Sequence, residues 1–488
     1  MRLGRSTIYN LIGLGAPLAV AAISIPALIS GLGDTRFGLL TLVWAVVSYF
    51  GLFDLGLGRA LTQQLAPLMV DGRRQEGWRM TVTASYLLLS LGGIAAVLLA
   101  SLAPWAKTFT GTADLQADVQ RSLLILALCM PAITLTSGFR GALEANHRFG
   151  VINLIRVPMG VFTFVGPLLS LSWFGPRLDA ICAFLCLGRI LACAVHAVYA
   201  RAIFDGARGT MEWDRKLLRP LCTTGGWMTV SNIVSPLMGY ADRFTVGAMI
   251  SAAALTYYVT PHELVTKLWI IPGALTATLF PIFASKSSKD TSSELVLLSK
   301  TLHLLSVAML VPTLSIAYFS FEILQAWIST DFAKASAGLM QLFCLGVFIN
   351  ALAHIPHTVL QGRGQARTTA LIHVAEVLPF LILLAVLTHY FGIYGAAAAW
   401  LVRATVDTAL MFYFCQQKLD FGPELFFTRQ TIAVLAIEAI GFSLLATDMV
   451  FNKYALATVL VTIGIATLAQ AHLASTKNSE TTKHQSFK

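Results

Sequence analysis

Charged and titratable side chains standing inside long apolar runs are the residues of this chain best placed to do chemistry, because a charge in hydrocarbon is kept only where it faces a cavity or a partner. One group is Phe53-Asp54-Leu55-Gly56-Leu57-Gly58-Arg59, an acid and a base flanking two glycines that permit close packing or local unwinding. It reads either as an ion-paired helix end or as part of a binding cavity. A second group comprises Asp242 and Arg243 and, in the next apolar run, His262, Glu263 and Lys267. Glu263 and Lys267 are spaced i, i+4, so they pair within one helix or present a cation to a substrate.

A third group is titratable, histidine being the side chain that ordinarily changes charge near neutral pH. His354, His357, His373 and Glu376 lie at one depth near the ends of two apolar runs, where the first half of the chain holds Arg140 and Arg156. One half is fixed positive and the other responds to protons, with satisfied packing as the plain alternative. The two His-x-x-His/Glu pairs lack the fuller ligand set of a metal site, so neither a metal nor a cofactor is expected. Arg403 and Asp407 are expected to pair along their own helix, whereas Arg189 has no such acid and needs a partner elsewhere or solvent in a cavity. All seven cysteines fall in or beside apolar runs and read as buried thiols.

The elements that must position these groups are membrane-spanning helices. Of the 488 residues 56% are hydrophobic and only 12% charged, more apolar surface than a soluble fold keeps from water. A hydrocarbon core about 30 Å thick needs roughly 20 apolar residues per helix, and the chain offers about 14 such runs. They lie near 9–30, 37–57, 81–103, 122–143, 151–173, 180–202, 221–247, 253–283, 301–327, 336–360, 369–390, 395–415, 430–449 and 454–473. With the N-terminus inside, most Lys and Arg residues fall on the cytoplasmic side, which places both termini there. The net charge of +10 then reflects this rule and attraction to anionic lipid, and no nucleic-acid partner is expected. The first apolar run is long enough to span and is expected to be retained.

The second half echoes the first. Ala60-Leu61-Thr62, Leu65 and Pro67 recur 214 residues on as Ala274-Leu275-Thr276, Leu279 and Pro281, and Arg189 and Arg403 share that spacing. Phe174-Gly175 and Phe391-Gly392 recur at 217. The reading is an all-α polytopic membrane protein of two pseudo-symmetric six-helix bundles plus two C-terminal helices. The expected domains are 1–219, 220–419, helices 13 and 14 within 420–475, and a cytoplasmic tail at 476–488. Prolines cluster where each lobe opens, at Pro17 and Pro26 and at Pro236, Pro261, Pro272 and Pro281, where helices bend.

The stretch from Gly13 to Pro26, the run Leu32-Gly33-Asp34-Thr35-Arg36-Phe37-Gly38, the Asp54-Leu55-Gly56-Leu57-Gly58 element and the segment Gly141 to Asn153 together resemble the polysaccharide transporter, or Wzx-type, branch of the multidrug/oligosaccharidyl-lipid/polysaccharide (MOP) flippase superfamily. The resemblance, with the repeat and the span count, covers nearly the whole chain. It implies a flippase, not an enzyme, that moves a polyprenyl-pyrophosphate-linked glycan across the bacterial inner membrane by alternating access, for surface polysaccharide such as O-antigen, capsule or exopolysaccharide. It also implies contact with a polymerase and other glycan-assembly proteins. By position, the substrate cavity would draw on Asn10, Asp54 and Arg59 from the first lobe and Trp227, Asn232, Arg243, His262, Glu263 and Lys267 from the second. Cations suit a pyrophosphate and aromatic faces and amides suit sugars. The competing readings are a proton- or sodium-coupled exporter of cationic drugs, using Glu263, Glu376 and Asp54, and a membrane glycan polymerase or ligase, which would want a larger outer loop.

Overall fold

A chain whose solvent is lipid must close its backbone hydrogen bonds within each crossing, and the regular elements among the described residues are all helical. The computed structural model describes residues 2–50, 54, 56–105, 112–206, 213, 214, 217, 238–276, 291–419 and 428–446; within these, the side chains of 2–16, 18, 49, 50, 59, 291–295, 366, 419 and 446 fall outside the description. The helices are α1 (Arg2–Phe50), α2 (Leu57–Val70), α3 (Arg74–Ser101), α4 (Ala113–Ala145), α5 (Phe149–Phe174), α6 (Leu178–Ala202), α7 (238–249), α8 (Ala252–Thr266), α9 (270–276), α10 (Thr291–Tyr318), α11 (Ser320–Trp327), α12 (Thr330–Gly362), α13 (Ala366–Leu419) and α14 (Arg429–Ala446). Seven described helical segments are long and apolar enough to cross a membrane, and the protein is a multi-pass membrane protein.

Two helices are long enough for two crossings of roughly 20 residues each. α1 has 49 residues and is broken at Gly33 (φ 72°, ψ 163°), between the two spans expected there. α13 has 54 and is broken at Gly392 (φ 59°, ψ −139°). His373 meets Asp407 at 3.5 Å and Glu376 meets Arg403 at 4.0 Å, pairings that only an antiparallel hairpin about Gly392 permits. Gly175, which ends α5, takes φ 72° and ψ −166°, so the two repeat-related glycines share a left-handed backbone that side chains resist.

Contacts divide the chain into two units, Met1–Thr256 and Tyr257–Lys488. In the first, α4 packs on α3, α6 and α2, and α5 packs on α1 and α6. α2 and α4 come close because Gly141 lies against the carbonyl of Gly58, while Thr62 Oγ1 donates to the Gly141 carbonyl at 3.1 Å. In the second, α12 packs on α10, α11 and α13, and α14 lies on α10. Thr313 Oγ1 donates to Glu438 at 2.8 Å and Tyr318 OH to the Gly441 carbonyl at 2.9 Å, so α14 is fastened to its unit by polar contacts.

Three expected spans are interrupted. The second, expected over 37–57, gives way to a turn at Gly56 (φ 71°) before α2. The eighth, expected over 253–283, tightens to a 3-10 turn at Lys267–Trp269. Pro272 has no N–H for the Leu268 carbonyl, and its ring crowds that carbonyl, which accounts for the tightening. The ninth, expected over 301–327, is two helices parted at Phe319 (φ −98°, ψ 16°).

Candidate functional site

The second unit gathers the titratable residues into one cluster. α12 supplies His354 and His357, and the α13 hairpin supplies His373 and Glu376 from one arm and Arg403 and Asp407 from the other. Gln361 Nε2 lies 3.2 Å from His357 Nε2, the His357 and His373 rings stack at 6.0 Å, and His373 Nε2 stands 3.5 Å from Asp407. Arg403 Nε approaches Glu376 Oε2 at 4.0 Å, and its guanidinium lies 5.4 Å from the Phe380 ring centre. The expected pairing of Arg403 with Asp407 along one helix is replaced by pairing across the hairpin, since each charge reaches the opposite arm. Neither carboxylate oxygen of Glu376 accepts a hydrogen bond among the described residues. His354 lies beside Trp269, 6.4 Å between ring centres. Among the described residues no three His, Cys, Asp or Glu side chains converge as metal ligands.

The other expected site residues are distributed. Lys267 Nζ and Glu263 Oε2 are 2.7 Å apart and remain 46% and 36% exposed, so the i, i+4 pair forms and stays accessible. His262 is buried among Tyr258, Phe343 and Trp400, within the aromatic core of the second unit. Arg243 is buried with its guanidinium 4.9 Å over the Tyr240 ring, and its N–H donates to Asp242 at 2.8 Å. Trp227 and Asn232, and the side chains of Asn10 and Arg59, lie outside the described residues.

Asp54 is a helix cap. Its carboxylate accepts from the N–H groups of Gly56 (3.1 Å) and Gly58 (3.3 Å), satisfying donors at the start of α2. Asp54→Ala is therefore expected to cost about 0.5–2 kcal/mol in equilibrium unfolding, with Asp54→Asn retaining most of it. Equal stability of Asp54→Ala and wild type would show that the cap contributes nothing.

In the first unit the positions matching the titratable cluster are Arg140, Arg156 and Arg189. Arg140 lies 3.5 Å from Glu144, whereas no carboxylate among the described residues reaches ion-pair distance of Arg156 or Arg189. Sequence reading missed a fastening of α4 to α6. The Asp118 carboxylate accepts from the backbone of Leu178 (3.0 Å) and Asp179 (2.9 Å) and faces Arg36 at 3.9 Å, while Asp179 holds Arg177 at 2.8 Å and Arg121 at 3.6 Å. The available signal was an acid in the first turn of α6. Beside this fastening is a cavity of about 620 Å³ at the α1 break, lined by Gly33, Asp34, Arg36 and Thr112 and by Gly247 and Ser251.

Apolar helices, a broken hairpin and charges held between helices define a polytopic membrane fold, which solved structures share. An inward-facing multidrug resistance MATE family transporter of the MOP superfamily aligns with TM-score 0.69 at 12% identity, over 84% of this chain and 98% of that one. The lipid II flippase MurJ, in an inward closed conformation, aligns with TM-score 0.69 at 13% identity, over 97% of this chain and 98% of that one. The family model described as polysaccharide biosynthesis protein matches residues 3–287. A Shigella flexneri protein named "Putative O-antigen transporter" is 30% identical over 413 residues, 84% of this chain and 97% of that protein. The chain belongs to the polysaccharide biosynthesis protein family, and it shares its fold with the multidrug transporter and the lipid II flippase.

Proposed function

We propose that this protein is a flippase that carries a polyprenyl-pyrophosphate-linked oligosaccharide from the cytoplasmic to the outer leaflet of the bacterial inner membrane, for surface polysaccharide assembly. The observation that carries the reading is similarity along almost the whole length of a relative named for O-antigen transport. The fold shared with a lipid II flippase supports it. Residues 1–219 and 220–419 are the lobes that alternate access, both termini are cytoplasmic, and no covalent chemistry is performed. The cavity residues are Asn10, Asp54, Arg59, Trp227, Asn232, Arg243, His262, Glu263 and Lys267. The cluster of His354, His357, His373 and Glu376 couples movement to protons through the contacts that hold the α13 hairpin, His373 with Asp407 and Glu376 with Arg403. An exporter of cationic drugs is less well supported, because Glu263 and Glu376 already face Lys267 and Arg403.

The test is reconstitution of the purified protein into vesicles with a fluorescent polyprenyl-pyrophosphate glycan, following its arrival in the outer leaflet. Wild type is expected to accelerate transfer over protein-free vesicles. Lys267→Ala is expected to lose well under about 1 kcal/mol of stability, its pair being exposed, yet to transfer roughly 30- to 150-fold more slowly at limiting substrate if Lys267 meets the pyrophosphate. Lys267→Arg should recover much of the rate. No acceleration by wild type would sink the flippase reading, and normal transfer by Lys267→Ala would remove Lys267 from the cavity.

A further inference from the structure

The two units differ at three matched positions in a way that creates a site. Aligned at the repeat offsets, His373, Glu376, Arg403 and Asp407 of the second unit correspond to Arg156, Met159, Arg189 and Cys193 of the first. The arginine at 189/403 is common to both. In the second unit it faces a carboxylate at 4.0 Å, and a second carboxylate lies one turn on. In the first unit methionine and cysteine replace both acids, and the remaining position is a further arginine.

The first unit's packing agrees with this alignment. Gly188 in α6 lies against Phe162 and Met159 of α5, so Met159 stands at the level of Arg189, as Glu376 stands at the level of Arg403. Arg189 falls on the stripe of α6 formed by the buried Cys182, Cys186, Cys193 and His196, whereas Leu187, Leu191 and Val198 face outward. It therefore points into the bundle and is half-buried. A lone guanidinium at that depth is expensive unless an anion or water meets it. Arg156 stands one helical turn from Met159, and neither arginine has an acid within reach among the described residues.

We propose that Arg189 and Arg156 form an anion site in the first unit that takes the diphosphate of a lipid-linked substrate. The inference rests on the proposed function and assigns the substrate's charged group to α5 and α6. Guanidinium suits the task because it is always charged and its planar fork donates two parallel hydrogen bonds to phosphate oxygens. The second unit's counterpart is self-neutralised and does not compete for the anion.

The experiment measures binding of farnesyl diphosphate, farnesyl monophosphate and farnesol to the full-length protein in lipid nanodiscs by tryptophan fluorescence, with thermal unfolding recorded for each variant. Wild type is expected to favour the diphosphate. Arg189→Gln and Met159→Glu should each weaken diphosphate binding by about 30-fold or more, the second by supplying the carboxylate that the other unit has. Arg189→Lys should recover part of the loss, and Arg201→Gln, an exposed cation on the same helix, should leave affinity within about twofold. If Arg189→Gln fails to fold, Met159→Glu decides, since it keeps the arginine. Undiminished diphosphate binding by Met159→Glu, in a wild type that prefers diphosphate, overturns the site and leaves the flippase reading intact. A wild type that binds farnesol as well as the diphosphate overturns both.

Discussion

Replacing Arg403 with leucine is expected to lower unfolding free energy by about 1–3 kcal/mol, because it leaves Glu376 a buried polar group without its partner. The side chains of Arg403 and Glu376 are 16% and 5% exposed, so solvent does little to soften the loss. Leucine fills part of the vacated volume against Phe380, so the effect is mainly electrostatic. Removing both charges in Arg403→Leu/Glu376→Leu should return stability to within about 1 kcal/mol of wild type or above it, since a buried ion pair offsets little more than its own desolvation. Equilibrium unfolding in defined mixed micelles gives all three values. A double variant as unstable as the single one would show that the arginine acts through packing and not through the acid.

The second large effect is expected at the α2–α4 crossing. Any side chain at Gly141 would drive a carbon into the carbonyl of Gly58, and backbone cannot rotate away as a side chain does. Gly141→Ala should cost about 1–3 kcal/mol and Gly141→Val more, with loss of the Thr62 hydrogen bond as the helices part. Gly150 in α5 is the control, because a Cβ there meets nothing within 4 Å. Gly150→Ala should be neutral or stabilising by up to about 1 kcal/mol through helix propensity. Equal behaviour of the two alanine variants would show that the crossing is not close-packed.

Most of the helices were legible because hydrocarbon imposes one solution on the backbone. The runs at 151–173 and 180–202 reappear as α5 (Phe149–Phe174) and α6 (Leu178–Ala202). Others extend past their apolar cores, as α3 does from Arg74, because hydropathy marks the bilayer while the helix continues into polar surroundings. The break at Phe319 carried no signal, having neither proline nor glycine at the joint. The intramembrane charges were legible by name, since each is rare in such a setting. Their partners were not: spacing rules see only one helix, and so the i, i+4 rule found Glu263 with Lys267 but set Arg403 against Asp407. The turn glycines Gly175 and Gly392 were found through the repeat, which compares the chain with itself.

The α13 hairpin bears on how the protein is made. Its two arms leave the ribosome in order, the first carrying His373 and Glu376 and the second the residues that balance them, with a single glycine between. At roughly 5–20 residues per second, the first arm waits for seconds without its counter-charges. Lipid is a poor place for it to wait. Entry of the two arms as a pair would spare these groups the hydrocarbon until Arg403 and Asp407 are synthesised, and a longer spacer at Gly392 is expected to lengthen that exposure and lower the yield of inserted protein.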